Sequence, residues 1–342
     1  MATVLSNTTI VDALGLPRDI LTRLATEQGT SFQATANQFL EALVNKIVYQ
    51  KVDKMEFTNP FKKFEGYAVK YGDTIENIFT ELPVGYSFDK DATDPFTKVI
   101  PSVKVLYAVI NYEMQYCVTI QDSLLRRAVL NEYGLMNLVN YILNTLGDRK
   151  SIDEYQAVIY MLNNADIYAD GFESVDVSGA STDTEKYKIV TQKIIDTVTD
   201  FALPSPDNNK LGVMNCTKKS DVVLVIKQEL LNHINLDFLA GVFNLEKVEL
   251  VNNIIGVRSF KVVKPGTTDP ATDAEAVGED LDFVVLDKRG FDIHPALEDS
   301  GMIYNPRGKY TNHFTNDWKI IAYKYYFNAR AFKLQTEASA GE

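Results

Sequence analysis

The side chains that could carry covalent, phosphate or metal chemistry are scattered along this sequence. Gly301 to Lys309 ends in Gly308-Lys309, as a phosphate-binding loop does. Pro306 lies between its glycines, however, and Tyr310 stands where a magnesium-binding hydroxyl is needed, so the segment reads as a turn. Ser87-Phe-Asp-Lys90 has the Ser-x-x-Lys spacing of acyl-serine enzymes, but no helix orients the lysine and no companion motif follows. His233, His294 and His313 are far apart, and none has a second histidine at ligand spacing. Asp292-Ile-His294 puts a carboxylate beside an imidazole only if both side chains face one way. Cys117 and Cys216 are too few for a disulfide framework and read as small buried hydrophobes in a reducing cytoplasm. These residues predict no cofactor, no metal and no enzyme. A cytoplasmic hydrolase with an unrecognised site is the competing reading, and a cluster of acid, base and nucleophile is what it lacks.

The bulk properties point away from nucleic-acid readers and membrane proteins. Acidic residues outnumber basic ones 46 to 34, and the resulting net charge of −12 repels phosphates and anionic lipid. The densest apolar run, Val222 to Ile226, is too short to cross a bilayer, and the N-terminus has no basic region leading into an apolar core. Tyr and Phe number 18 each against one Trp, a usage that suits interfaces and half-buried strands. Lys62-Lys63, flanked by Phe61 and Phe64, is a small basic and aromatic cluster. Two charges are too few to grip nucleic acid from an acidic chain, so the cluster reads as a contact to a neighbouring protein or a solvated face.

The elements that would position these residues are mixed helix and strand, an α+β chain. Asp12 to Leu24 reads as helical with a restart at Pro17, and Ser31 caps a second helix with Phe39, Leu40, Leu43 and Ile47 on one face. Residues 55 to 120 read as a long hairpin, with arms Val69 to Phe79 and Val103 to Ile120 and an irregular tip between them. Gln121 to Asp166 is strongly helical, as one helix or as two meeting at Gly147, with Ser151-Ile-Asp-Glu154 as a capping box. Ile167 to Thr184 reads as a loop, and Glu185 to Phe201 as an amphipathic helix carrying Ile189, Ile194, Ile195 and Val198. Strands are expected over Asp221–Lys227, Val248–Phe260, Leu281–Leu286 and Lys319–Leu334, and a helix over Glu229–Phe243. Pro265 to Asp280 is an acidic surface loop, and Gln335 to Glu342 a frayed tail.

Four segments, in order, resemble the major capsid proteins of the phi-twenty-nine-type short-tailed bacteriophages. They are Asn59-Pro-Phe-Lys-Lys-Phe64 with Tyr71-Gly-Asp-Thr-Ile-Glu-Asn-Ile-Phe79; Thr119-Ile-Gln-Asp-Ser-Leu124 leading to Asp153-Glu154-Tyr155; Leu239-Ala-Gly-Val-Phe-Asn244; and Tyr304-Asn-Pro-Arg-Gly-Lys-Tyr310. The resemblance covers roughly residues 55 to 334 and implies the Hong Kong 97-type capsid fold. On that fold, 1–54 is the N-arm, 55–120 the extended E-loop hairpin, 121–200 the P-domain spine helix and following segment, 201–310 the A-domain, and 311–342 the P-domain return strands and tail. The immunoglobulin-like decoration of some relatives is not expected, nor is a lysine–asparagine cross-link.

What the resemblance implies is a shell subunit that self-assembles into pentamers and hexamers. Its implied partners are further copies of itself, a separate scaffolding protein, a portal protein and packaged double-stranded DNA held without sequence-specific contacts, with no membrane. An encapsulin-like nanocompartment shell is the alternative on the same fold. A projecting hairpin cannot bury both faces against its own subunit. Phe61, Lys62, Lys63, Phe64, Ile75, Phe79 and Phe96, together with Arg307 in its Asn-Pro-Arg-Gly turn, are therefore the expected inter-subunit contacts.

Overall fold

The computed structural model describes residues 11–12, 14–28, 31–39, 42, 57–70, 72–83, 85, 100–123, 134–234, 253–262 and 277–335, with the backbone alone along 134–145. In chain order the elements are α1 (Ile20–Thr26), α2 (31–39), β1 (Ile75–Thr80), β2 (Val103–Ala108), β3 (Tyr112–Gln121), α3 (Gly134–Leu162), β4 (Phe172–Asp176) and α4 (Asp183–Ala202). Then come β5 (Val222–Lys227), β6 (Ile254–Val257), β7 (Phe283–Asp287), β8 (Phe291–Asn305), β9 (Tyr310–Tyr323) and β10 (Ala329–Gln335).

They form three sheets: β1-β2; β3-β9-β8; and the mixed sheet β4-β10-β7-β5-β6. The centre of the mixed sheet is legible in composition. Every residue of β7 is buried, as is β5 from Val222 to Ile226, the mark of strands covered on both faces. Val223 and Val225 face α3, through Val158, Ile159 and Leu162. Val222, Leu224 and Ile226 face α4, through Val190, Ile194, Val198 and Phe201. α4 is capped by Thr182, whose hydroxyl accepts from the Glu185 amide at 3.3 Å, while the Glu185 carboxylate reaches back to the Ser181 amide at 2.8 Å.

α3 runs unbroken through Gly147, so of the two alternatives the single helix is the one found there. Ser151 to Glu154 is helix interior, because its acidic side chains are engaged elsewhere: Asp153 pairs with Arg149 and Glu154 with Lys319 on β9. Gln121 ends a strand rather than starting a helix. The expected loop 167–184 contains β4, whose polar sequence reflects its position at a sheet edge, with Val175 as its one buried residue. β8 went unread, since Pro295 and Gly301 interrupt its pattern. In the expected helix after Lys227 a single turn, Gln228–Leu231, is described, and 235–243 lies outside the described residues. So do Leu40, Leu43, Ile47, 248–252, 263–276 and the expected tail beyond Gln335. Ile189 is exposed, and Val190 takes the buried position instead. Cys117 and Cys216 are exposed too, contrary to their reading as buried hydrophobes.

The strand pairing cuts across the boundaries expected at 120, 200 and 310. β3 pairs along its length with β9, not with the hairpin, so the hairpin's paired strands end at Ala108. β8, ahead of residue 310, pairs with β9 from Phe291↔Tyr323 to Asn305↔Tyr310. β4 and β10 join the sheet of β5, β6 and β7.

Candidate functional site

The hairpin β1–β2 has two unlike faces, set by its register. Ile75 lies opposite Ala108, Asn77 opposite Leu106 and Phe79 opposite Lys104. These point at the body of the subunit: Ile75 and Ala108 pack with Ile320, the Asn77 amide donates to Asp292 at 2.7 Å, and Phe79 stacks on Tyr326 at 4.9 Å. On the other face Ile78 lies opposite Val105, Glu76 opposite Tyr107 and Thr80 opposite Val103. That face is apolar and open to solvent: Ile78 is 59% exposed, Val103 50%, Val105 39% and Tyr107 68%. Val109, Ile100 and Leu82 continue the exposed apolar surface at the two ends of the hairpin. Contiguous exposed apolar faces are the kind of surface that binding sites are built on.

A buried charged knot holds the hairpin's root. The Lys319 ammonium, almost fully buried, lies 2.8 Å from Glu154 on α3 and 3.1 Å from Glu65 on the segment that leads into the hairpin. Lys150 pairs with Asp317 at 3.2 Å and Glu298 at 2.8 Å. Burial works against the Lys319 charge, but Glu154 and Asp317 more than offset it and hold its pKa above the usual lysine range. Burial pushes the Asp317 carboxyl up to about 6, against the pull of Lys150 and Lys319. Glu154 also feels burial, yet Lys319 brings it out below its ordinary value. One lysine thus ties β9, α3 and the hairpin's lead-in together.

The expected contact residues divide. Phe61 is buried in the subunit's own core, against Tyr155 and Phe291, and Phe64 stacks on Phe291 at 4.3 Å. Ile75 is buried at the hairpin base and Phe79 is half-buried on Tyr326. Their aromatic and apolar character serves the subunit's own packing, while the outward positions fall to Ile78, Val105 and Tyr107. Lys62 and Lys63 are exposed, with Lys63 over the Phe64 ring at 5.1 Å. Arg307 is exposed on the β8–β9 turn, where the Asn305 side chain accepts from the Arg307 and Gly308 amides at 3.0 Å each. Phe96 lies outside the described residues, as does Ser87-Phe-Asp-Lys90.

The chemistry-bearing residues stay apart. Among the described residues no group of three or more His, Cys, Asp or Glu is placed to hold a metal ion. His233 stacks on Tyr187 at 4.5 Å. His313 is buried without a hydrogen-bond partner, and burial brings its pKa down to about 4. Asp292 and His294 do face one way, 3.3 Å apart. No described helix is long and apolar enough to cross a membrane.

The model of the Phi29-like phage major capsid protein family matches residues 22–333. The chain belongs to that family. Curated relatives named major capsid protein include those of Bacillus phage B103, 28% identical over 305 residues, and of Bacillus phage PZA, 26% identical over 305 residues. Each match covers 88% of this chain but 64% of the relative, so the chain spans less than two thirds of their length. Among solved structures, the capsid of Staphylococcus phage Andhra aligns with a TM-score of 0.61 at 12% identity, covering 84% of this chain and 88% of that one. The capsid of cyanophage P-SCSP1u aligns at 0.56 with 10% identity, covering 84% and 91%. Family and fold agree: this is the Hong Kong 97-type capsid fold.

Proposed function

We propose that this chain is the major shell subunit of a phage head, and that copies of it close into pentamers and hexamers by laying the β1–β2 hairpin over a neighbour. The observation that carries the reading is the outward face of Ile78, Val103, Val105 and Tyr107, a row of large apolar side chains left in water by the isolated subunit. Burying one such side chain is worth roughly 1.5–3 kcal/mol, and a closed ring offers every copy the same cover. Family membership supplies the second support.

On this reading the hairpin is the E-loop, α3 the spine of the P-domain, the mixed sheet the heart of the A-domain, and α1 with α2 part of the N-arm. Lys62, Lys63 and Arg307 are exposed and remain contact candidates, Arg307 at the end of the β8–β9 ladder away from the hairpin. A separate scaffolding protein, a portal protein and double-stranded DNA enclosed without sequence-specific contacts complete the assembly, which takes place in the cytoplasm of the host bacterium.

The test is a triple substitution, Ile78→Ser with Val105→Ser and Tyr107→Ser. Circular dichroism of the subunit should be unchanged, while sedimentation should find no shells. Shells of normal size and heat resistance from this variant would overturn the proposal.

A further inference from the structure

We propose that His294 is a positioning residue, a latch that fixes the angle at which the hairpin leaves the subunit. The inference rests on the hairpin being the inter-subunit clasp. After the 3-10 turn Pro60–Phe64, the chain runs beside β8 as a short extra strand: Glu65 bridges to Ile293, the Gly66 amide donates to the Ile293 carbonyl at 2.7 Å, and the Val69 amide donates to the Pro295 carbonyl at 2.9 Å. His294 sits between those two bonds. Its Nδ1 lies 2.7 Å from the Tyr67 carbonyl oxygen, which can only accept, so Nδ1 carries the proton.

The other ring nitrogen lies 3.3 Å from Asp292 Oδ1, which also faces Lys324 at 3.3 Å. The second oxygen of Asp292 accepts from Asn77 in β1. Asp292 and His294 are two apart on one strand and share a face, so they grip the chain at both ends of the stretch 67–77, before it and after it enters the hairpin. The register slip between β8 and β9 at Pro295/Leu297 falls directly beside this grip, where the sheet ladder gives way to the arm.

Gly66 shows how closely arm and ring are pressed. A Cβ on Gly66 would stand 2.5 Å from His294 Cε1, and its three nearest neighbours would all be atoms of that ring. The Tyr67 ring meets the imidazole edge-on at 4.5 Å. Burial, the Nδ1 hydrogen bond to Tyr67, the neighbouring Asp292 carboxylate and a steric stop therefore converge on one side chain at the root of a lever. The strands beyond it extend about 20 Å, so a small rotation at the root becomes a large displacement at the tip.

The experiment uses the full chain with His294→Ala and, separately, Asn77→Ala, a substitution on the hairpin itself that spares the core. Hydrogen–deuterium exchange over residues 66–80 should quicken roughly fivefold to tenfold, the factor for losing about one hydrogen bond, with the melting temperature nearly unchanged. Shell formation should slow by a similar factor. Gly66→Ala should also impair assembly. Adding His294→Ala to it should restore the fold by clearing the clash, but not the assembly rate.

Normal exchange and normal assembly in both His294→Ala and Asn77→Ala would overturn the latch. If the triple hairpin variant fails to assemble while these two assemble normally, the latch alone is wrong. If the triple variant assembles, the clasp reading has failed first.

Discussion

β2 and β5 are both six-residue strands rich in Val and Leu, and they meet opposite fates. In β5, Val222 to Ile226 are all buried, one alternation against α3 and the other against α4. In β2, Leu106 and Ala108 turn inward while Val103, Val105 and Tyr107 face water. The strands do not differ much in intrinsic character; they differ in how many layers the rest of the chain lays over them. Two helices cover the mixed sheet. Among the described residues, only the edge of the subunit covers the hairpin, and only on one side. That uncovered apolar face is where the proposed clasp would seat on a second copy.

The largest effects test the covered side of that comparison. Phe283 is fully buried and stacked on Phe332 at 4.6 Å. Phe283→Ala should lower subunit stability by about 3–5 kcal/mol, read from urea denaturation. Tyr107→Ser on the hairpin should leave it within about 0.5 kcal/mol. If the two changes cost the same, the hairpin's outer face is covered within the subunit and the contrast fails.

Lys319→Met should cost about 3–5 kcal/mol by leaving Glu154 and Glu65 facing each other without their cation. Adding Glu154→Gln should recover part of the loss. A neutral result in chemical denaturation would mean that the knot, although buried, behaves like a surface pair.

The smallest effect is a pH dependence. His313 carries a pKa near 4 when folded against 6.5 in the unfolded chain. Between those values the unfolded chain binds a proton that the folded chain does not. The contribution is therefore complete above pH 6.5 and is lost progressively as pH falls toward 4. His313→Leu should flatten the fall of melting temperature across that window. An unchanged slope would place the acid sensitivity elsewhere.

Sequence reading recovered what depends on a residue's own neighbours in the chain. α4, β5 and β7 were visible because an amphipathic stripe and continuous apolar runs are local signals. The turn at Asn305-Pro306-Arg307-Gly308 was visible for the same reason. What it missed depends on pairing. Val103 to Ile120 reads as one arm, yet β2 pairs with β1 and β3 with β9. The family resemblance placed the hairpin, but a list of its large apolar residues could not separate the inward Ile75 from the outward Ile78. That separation follows from register, and a shift of one residue would exchange the two faces. His294 and Asp292 were noticed as a pair, but their role at the arm needed the position of Tyr67 and Asn77. No sequence signal linked residues more than two hundred positions apart.

The place of β10 has a consequence for how the subunit is made. It lies between β4 and β7, parallel to the first and antiparallel to the second, through residues 329–335. A ribosome that has delivered everything up to β9 has still withheld the strand on which β4 must pair. The mixed sheet therefore closes late, after long-range pairing over more than a hundred and fifty residues, and such pairing is intrinsically slow. Until then the buried runs of β5 and β7 lack part of their cover and are open to wrong partners. The mixed sheet of each copy is thus complete only after residues 329–335 are free.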